Sequence, residues 1–275
     1  FAATGSSSPG TSTPVTPPPS SGVPVPAPSS GGPVTSTSPD QPVAPPSPGG
    51  TNAPSNVPSS AAVSSDLALA SNWAFEHDAG TPGSSKGSTV FPATTPVYED
   101  AREFYMEYSG HGGERWHITM GNNASAKNFA LDTYVYFADP SQVGNLELDF
   151  NQVMSNGQTV IYGTQCSSYS KTWEYTYTDH ASHWRASNVP CNPRSWAANT
   201  WHHIQIGFHR DDSGHVVHDW VNLDGTHSTF NNAAGPGGDS LGWAKGLLVV
   251  NYQVDGADPK GSITSFVHKM TIYTW

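Results

Sequence analysis

Cysteine, basic residues and long apolar runs are all scarce in this chain of 275 residues. With only Cys166 and Cys191 present, the four-ligand cysteine set of a structural zinc site is excluded. Eleven Lys and Arg stand against 22 Asp and Glu, so the cationic surface that nucleic acid needs is missing, and acidic polysaccharides are disfavoured on charge. No run of about 18 apolar residues occurs, which excludes a membrane-spanning helix. No stretch with helical periodicity competes with the alternating patterns described below.

What is present is divided sharply along the chain. Sixteen of the 24 prolines lie before residue 60, all nine tryptophans lie after residue 72, and Asp40 is the only charged side chain in residues 1–62. A Pro/Ser/Thr/Gly stretch without periodic apolar residues buries too little surface to offset the entropy of ordering. Residues 1–62 therefore read as a linker or stalk, and residues 63–275 as one all-β domain carrying a formal charge of 11 − 21 = −10. Phe1 in place of Met suggests a removed signal peptide or an excerpt of a longer chain. Two cysteines in such a context favour one extracellular disulfide, Cys166–Cys191, over two buried thiols. The expected setting is secreted or cell-surface. The tail, together with the sequon Asn123-Ala124-Ser125, also suits a glycosylated structural or fibre-forming protein that self-assembles or joins an upstream domain.

The domain reads as short strands, near 114–120, 128–137, 144–152, 158–166, 171–178, 200–210, 214–223, 246–255 and 263–274, with hairpin turns at Asp211-Asp212-Ser213-Gly214 and Asp224-Gly225. Residues 73–87, rich in glycine, read as a loop. Alternation in residues 145–152, N-L-E-L-D-F-N-Q, puts Glu147, Asp149 and Asn151 opposite Leu146, Leu148 and Phe150. The same parity rule separates Asp132 and Tyr134 from Phe129, Leu131 and Val135. It separates His203 and Gln205 from His202, Ile204, Ile206 and Phe208, and Asn251, Gln253 and Asp255 from Leu248, Val250, Tyr252 and Val254. Placed side by side, such strands form one polar-aromatic surface, and Glu147, Asp149, His203 and Gln253 are expected to share it. Amides and carboxylates there meet hydroxyl groups, and aromatic rings meet the C–H faces of a sugar. Trp173 and Trp184, the latter in a loop, are the expected platforms, with Trp116 and Trp275 in the core.

The order of the E-L-D strand, T-W-H-H at Thr200 to His203, H-V-V-H-D-W-V-N-L-D-G, and the closing M-T-I-Y-T-W resembles the concanavalin A-like lectin/glucanase superfamily, which also includes laminin-G-like domains. That resemblance, over residues 70–275, implies a two-sheet antiparallel jelly roll whose concave sheet forms the ligand groove. Glucanases of the group carry E-x-D-x-E or E-x-D-x-x-E. Glu147 then matches the nucleophile and Asp149 the central Asp, while the acid/base position holds Asn151 or Gln152, neither of which can donate and recover a proton.

The resulting expectation is a lectin-like domain that binds neutral polysaccharide. The alternative is a hydrolase or lyase using Glu147 and Asp149, with an acid/base supplied by Asp132, Asp255 or His203. No cofactor is required. A structural calcium ion, which the resemblance permits, would find oxygen donors at Asp78, Asp255 and Asp258.

Overall fold

The computed structural model describes residues 53–93, 100–121, 124–178, 182–236 and 238–275. The greater part of the Pro-rich stretch and Asn123 of the sequon lie outside the described residues. Fifteen strands follow in order: β1 (Ala62–Ser64), β2 (Ala74–His77), β3 (Ser84–Val90), β4 (Arg102–Ser109), β5 (Gly113–Met120), β6 (Asn128–Phe137), β7 (Val143–Val153) and β8 (Thr159–Ser167). Next come β9 (Thr172–Thr178), β10 (Ser182–Pro190), β11 (Thr200–Arg210), β12 (His215–Leu223), β13 (Thr226–Pro236), β14 (Leu248–Gly256) and β15 (Lys260–Thr274).

They form two antiparallel sheets packed as a sandwich. The first runs β13-β12-β11-β6-β15-β4-β3, with β1 paired to β15; the second runs β10-β9-β8-β7-β14-β5-β2. The expected parity of each central strand holds. Phe129, Leu131 and Val135 of β6 and Ile204, Ile206 and Phe208 of β11 meet Leu146, Leu148 and Phe150 of β7 and Leu248, Val250 and Tyr252 of β14 in one buried core. Each such side chain contributes about 1.5–3 kcal/mol by leaving water. Trp116 is in that core, as expected. The disulfide joins Cys166 at the end of β8 to Cys191 just after β10, with Cα atoms 5.3 Å apart.

Several expectations are corrected. Residues 73–87 are not all loop, because β2 and most of β3 fall there and pair with β5 and β4. Trp184 lies on strand β10 rather than in a loop. Trp275 is not in the core between the sheets; it packs half-buried against Ala130, Trp220 and Tyr273 on the outer face of the first sheet. Val57 and Ala61, from the end of the Pro-rich stretch, cover the same patch.

Candidate functional site

Parity decides which way a side chain points from its strand, but not which sheet the strand joins. β7 and β14 are neighbours in the second sheet, whereas β6 and β11 are neighbours in the first. The expected common surface is therefore two surfaces facing away from each other. Glu147, Asp149, Asn151, Asn251, Gln253 and Trp184 lie on one, and Asp132, Tyr134, His203 and Gln205 lie on the other. Trp173 belongs to neither, since it is 1% exposed and packed in the core. Its strand mate Tyr175 packs at a tilt against the buried ring of His218, so the aromatic parity of β9 faces inward.

On the outer face of the first sheet a connected set of polar groups satisfies Asp132, His203 and Gln205, with Asn222 Oδ1 left without a partner. His203 Nε2 lies 2.7 Å from Asp132 Oδ1, Gln205 Nε2 donates to Asp132 Oδ2 at 2.9 Å, and Asn222 Nδ2 donates to Gln205 Oε1 at 3.3 Å. Tyr134 stacks flat on His203 at 4.3 Å. Bonds of this kind to a charged acceptor contribute about 1.5–3 kcal/mol each, which accounts for buried Asp132 without a ligand. A cleft of about 450 Å³ beside this network is lined by Trp220, His227 and Trp275. His202, on the inward parity, bonds Asp224 instead, so the adjacent histidines of T-W-H-H face opposite ways.

The outer face of the second sheet is ordered by strand register. One row across it reads Trp184, Thr176, Gly163, Asp149, Asn251, His117; paired positions link β10 to β9, β8 to β7, β7 to β14 and β14 to β5. The next row reads Glu174, Gln165, Glu147, Gln253, Arg115, Glu76. Gly163 leaves room that Trp184 uses: a Cβ there would sit 3.2 Å from Trp184 Cη2 and 2.5 Å from Thr176 Cγ2. On the other flank, Trp243, Leu247, Arg115, His117 and Asn251 line a cleft of about 350 Å³. The β8-to-β5 distance implied by strand spacing puts about 10–15 Å between the two tryptophan flanks.

Here polar groups are left open. Asp149 is 5% exposed and Asn151 3%, yet Asp149 Oδ1 and Asn151 Oδ1 have no hydrogen-bond partner in the protein, and neither does Asn145 Oδ1. Leaving a buried acceptor unmatched costs about 1–3 kcal/mol, so a face with several is built to be completed by something else. Arg115 is the one cation in these rows and is ion-paired to Glu76. Glu147, Asp149 and Asp78 all feel its charge. Burial pushes Asp149 up to about 6, with Asn251 and Arg115 opposing. Burial and the charges of Asp149, Asp255 and Asp78 push Glu147 well above the usual carboxylate range. Asp255 also rises to about 6 on burial, although Asn145 Nδ2 and Gln253 Nε2 donate to it at 2.9 and 3.1 Å.

The expected calcium donors do not converge. Gln253 Nε2 bridges Asp255 and Asp78, the latter at 3.2 Å, but Asp258 is 3.7 Å from Arg194. Among the described residues, no three of His, Cys, Asp and Glu are grouped to hold a metal ion. No described helix is long and apolar enough to cross a membrane.

No protein-family model and no curated protein matches the sequence. Among solved structures the chain is similar to a carbohydrate-binding module of the β-sandwich superfamily at 8% identity, covering 74% of this chain and 56% of that one, TM-score 0.39. It spans little more than half the length of that relative. It is also similar to a Bacillus licheniformis β-glucanase (12% identity, 78% and 98% covered, TM-score 0.38) and to the cellulose-induced protein Cip1 (10%, 73% and 90%, 0.42).

Of the groups on this face, Arg115, His117 and Gln165 escaped the sequence reading although their parity against Trp116, Ile118 and Cys166 was there to be read. Trp243 sits in a loop where no periodicity could single it out.

Proposed function

We propose that the outer face of the second sheet binds a saccharide that carries no acidic groups. The observation that supports this most is the contrast between the two faces: the first sheet ties Asp132, His203 and Gln205 into one network with Asn222 Oδ1 left over, while the second leaves Asp149 Oδ1, Asn151 Oδ1, Asn145 Oδ1 and the side chain of Asn251 open beside two flanking tryptophans. Sugar hydroxyls supply donors to these acceptors, and indole faces supply the apolar contact that sugar C–H surfaces need. The Cys166–Cys191 bond supports an oxidising, extracellular setting, in which the Pro-rich stretch serves as a spacer.

A hydrolytic reading rests on Glu147 and Asp149 with Asp255 on the next strand as acid, since Asp132 and His203 lie on the other sheet. Against it, both oxygens of Asp255 already accept hydrogen bonds and the residue is 7% exposed, so it is poorly placed to hand a proton to a leaving group.

The test is a binding panel of soluble and insoluble polysaccharides with Trp184→Ala and Trp243→Ala variants. Each loss of a stacking platform should weaken binding by about tenfold, the effect of roughly 1.4 kcal/mol. Retention of full affinity in both variants would remove the groove from the account.

A further inference from the structure

The groove contains more negative charge than its own cations can balance. Glu147 is repelled by Asp149, Asp255 and Asp78, and Asp78 in turn acts on Asp149 and Asp255, across β7, β14 and the turn after β2. Arg115 opposes them but is tied to Glu76, and burial with Arg115 nearby drives the ring of His117 toward its neutral form. Several donors are already committed, while Arg115 Nε and Asn251 Nδ2 stay without a partner. Gln253 Nε2 is divided between Asp78 and Asp255, and Asn145 spends its amide hydrogen on Asp255. Asn151, buried and outside the acidic cluster, turns an unmatched oxygen to the same face as Asp149.

An uncharged hydroxyl would satisfy the open oxygens and leave the charge standing. A primary ammonium does both, bringing three hydrogens and a positive charge in one group. Resting on the saccharide-binding reading above, we propose that the ligand is a basic saccharide, an oligomer of amino sugars with free amines, and that Asp149 with Glu147 receives an ammonium between the Trp184 and Trp243 flanks. The upward displacement of both carboxyl groups fits a site awaiting a cation, because a nearby positive charge favours the ionised form and lowers both. Uronic acid polymers are repelled by the same face.

The experiment is calorimetric titration of the full chain, near neutral pH and low salt, with three oligomers of equal length and linkage: glucosamine, N-acetylglucosamine and glucose. The glucosamine oligomer should bind at least about tenfold more tightly than either neutral one, and the advantage should shrink as salt rises. Asp149→Asn and Glu147→Gln, each confirmed folded by thermal unfolding, should abolish the advantage, so that on either variant the glucosamine oligomer binds no more tightly than the two neutral ones. Equal affinity for all three oligomers, or an advantage that persists in both variants, overturns the ammonium site and leaves a neutral-sugar groove. Failure of every saccharide to bind overturns the groove itself and the ammonium site with it.

Discussion

Replacing Asp149 by Asn should make the domain more stable above pH 6 and leave it nearly unchanged at pH 4. The buried carboxyl is raised from 3.8 to about 6 in the folded protein. That rise corresponds to about 3 kcal/mol of preference for the neutral acid over the carboxylate. The sign follows from linkage: a group with a raised folded pKa contributes stability fully below its unfolded pKa, and that contribution is lost as pH rises through about 6. An amide has no charge to bury. It brings hydrogens to a place where two carboxyl groups lay side by side on one strand face. The variant's advantage should grow to about 2–3 kcal/mol by pH 8, with Glu147 titrating closer to its ordinary range once its neighbour is neutral. Wild-type pH dependence alone would not isolate the effect. His218, fully buried, is lowered to about 4 and acts oppositely, contributing stability above its unfolded pKa that is lost as pH falls through the folded value. The quantity to measure is the difference between variant and wild type, from denaturant unfolding at several pH values. A difference that stays flat with pH, or a variant less stable than wild type at pH 8, would refute the buried-charge reasoning.

Reduction of Cys166–Cys191, which closes a separation of 25 residues around β9 and β10, should cost about 3 kcal/mol in unfolding free energy, and thiol titration of the unfolded, unreduced protein should find none. Gly163→Ala forces Trp184 and Thr176 aside and should cost about 1–3 kcal/mol, with a shift in tryptophan fluorescence; an unchanged spectrum would show that Trp184 does not lie over Gly163. A screen of β-glucans, xylans, mannans and galactans for new reducing ends should find no turnover, and turnover that vanishes in Glu147→Gln would replace binding by hydrolysis as the function.

The interior strands could be read from the sequence and the edges could not. β5 to β9, β11, β12, β14 and β15 all follow alternating runs. The strands at the four sheet edges, β13 and β3 of the first sheet and β10 and β2 of the second, escaped, as did β1 and β4. An edge strand has one neighbour and fewer apolar partners, so β13, T-H-S-T-F-N-N-A-A-G-P, has Phe230 as its one large buried side chain, and β3 shows almost no alternation. β4 is different: Phe104, Met106 and Tyr108 alternate with Glu103, Tyr105 and Glu107, and that pattern was legible. The site failed at another level. Alternation correctly placed Asp132 and His203 away from the core, and Glu147 and Gln253 likewise, but nothing local to a strand says which of two sheets it will join. That choice depends on pairings across more than a hundred residues, such as β6 with β15.

The two outer faces show why residue type alone is a poor guide to a binding surface. Asp132 and Asp149 are both buried carboxylates on central strands, each among amides. Asp132 has a donor on each oxygen from β11, and its neighbour Gln205 has a further donor from β12. Asp132 is therefore fully matched within the fold, and its removal would be felt in folding. Asp149 has one oxygen without a donor and carboxylates for neighbours, so the folded domain is expected to be less stable with it ionised than with an amide in its place. A residue that weakens the fold at neutral pH has a physical rationale where a ligand supplies the missing hydrogen and charge. The same substitution, Asp149→Asn, is therefore expected to strengthen the fold and weaken binding. Those opposite signs distinguish a group held in place for a ligand from one held in place for packing.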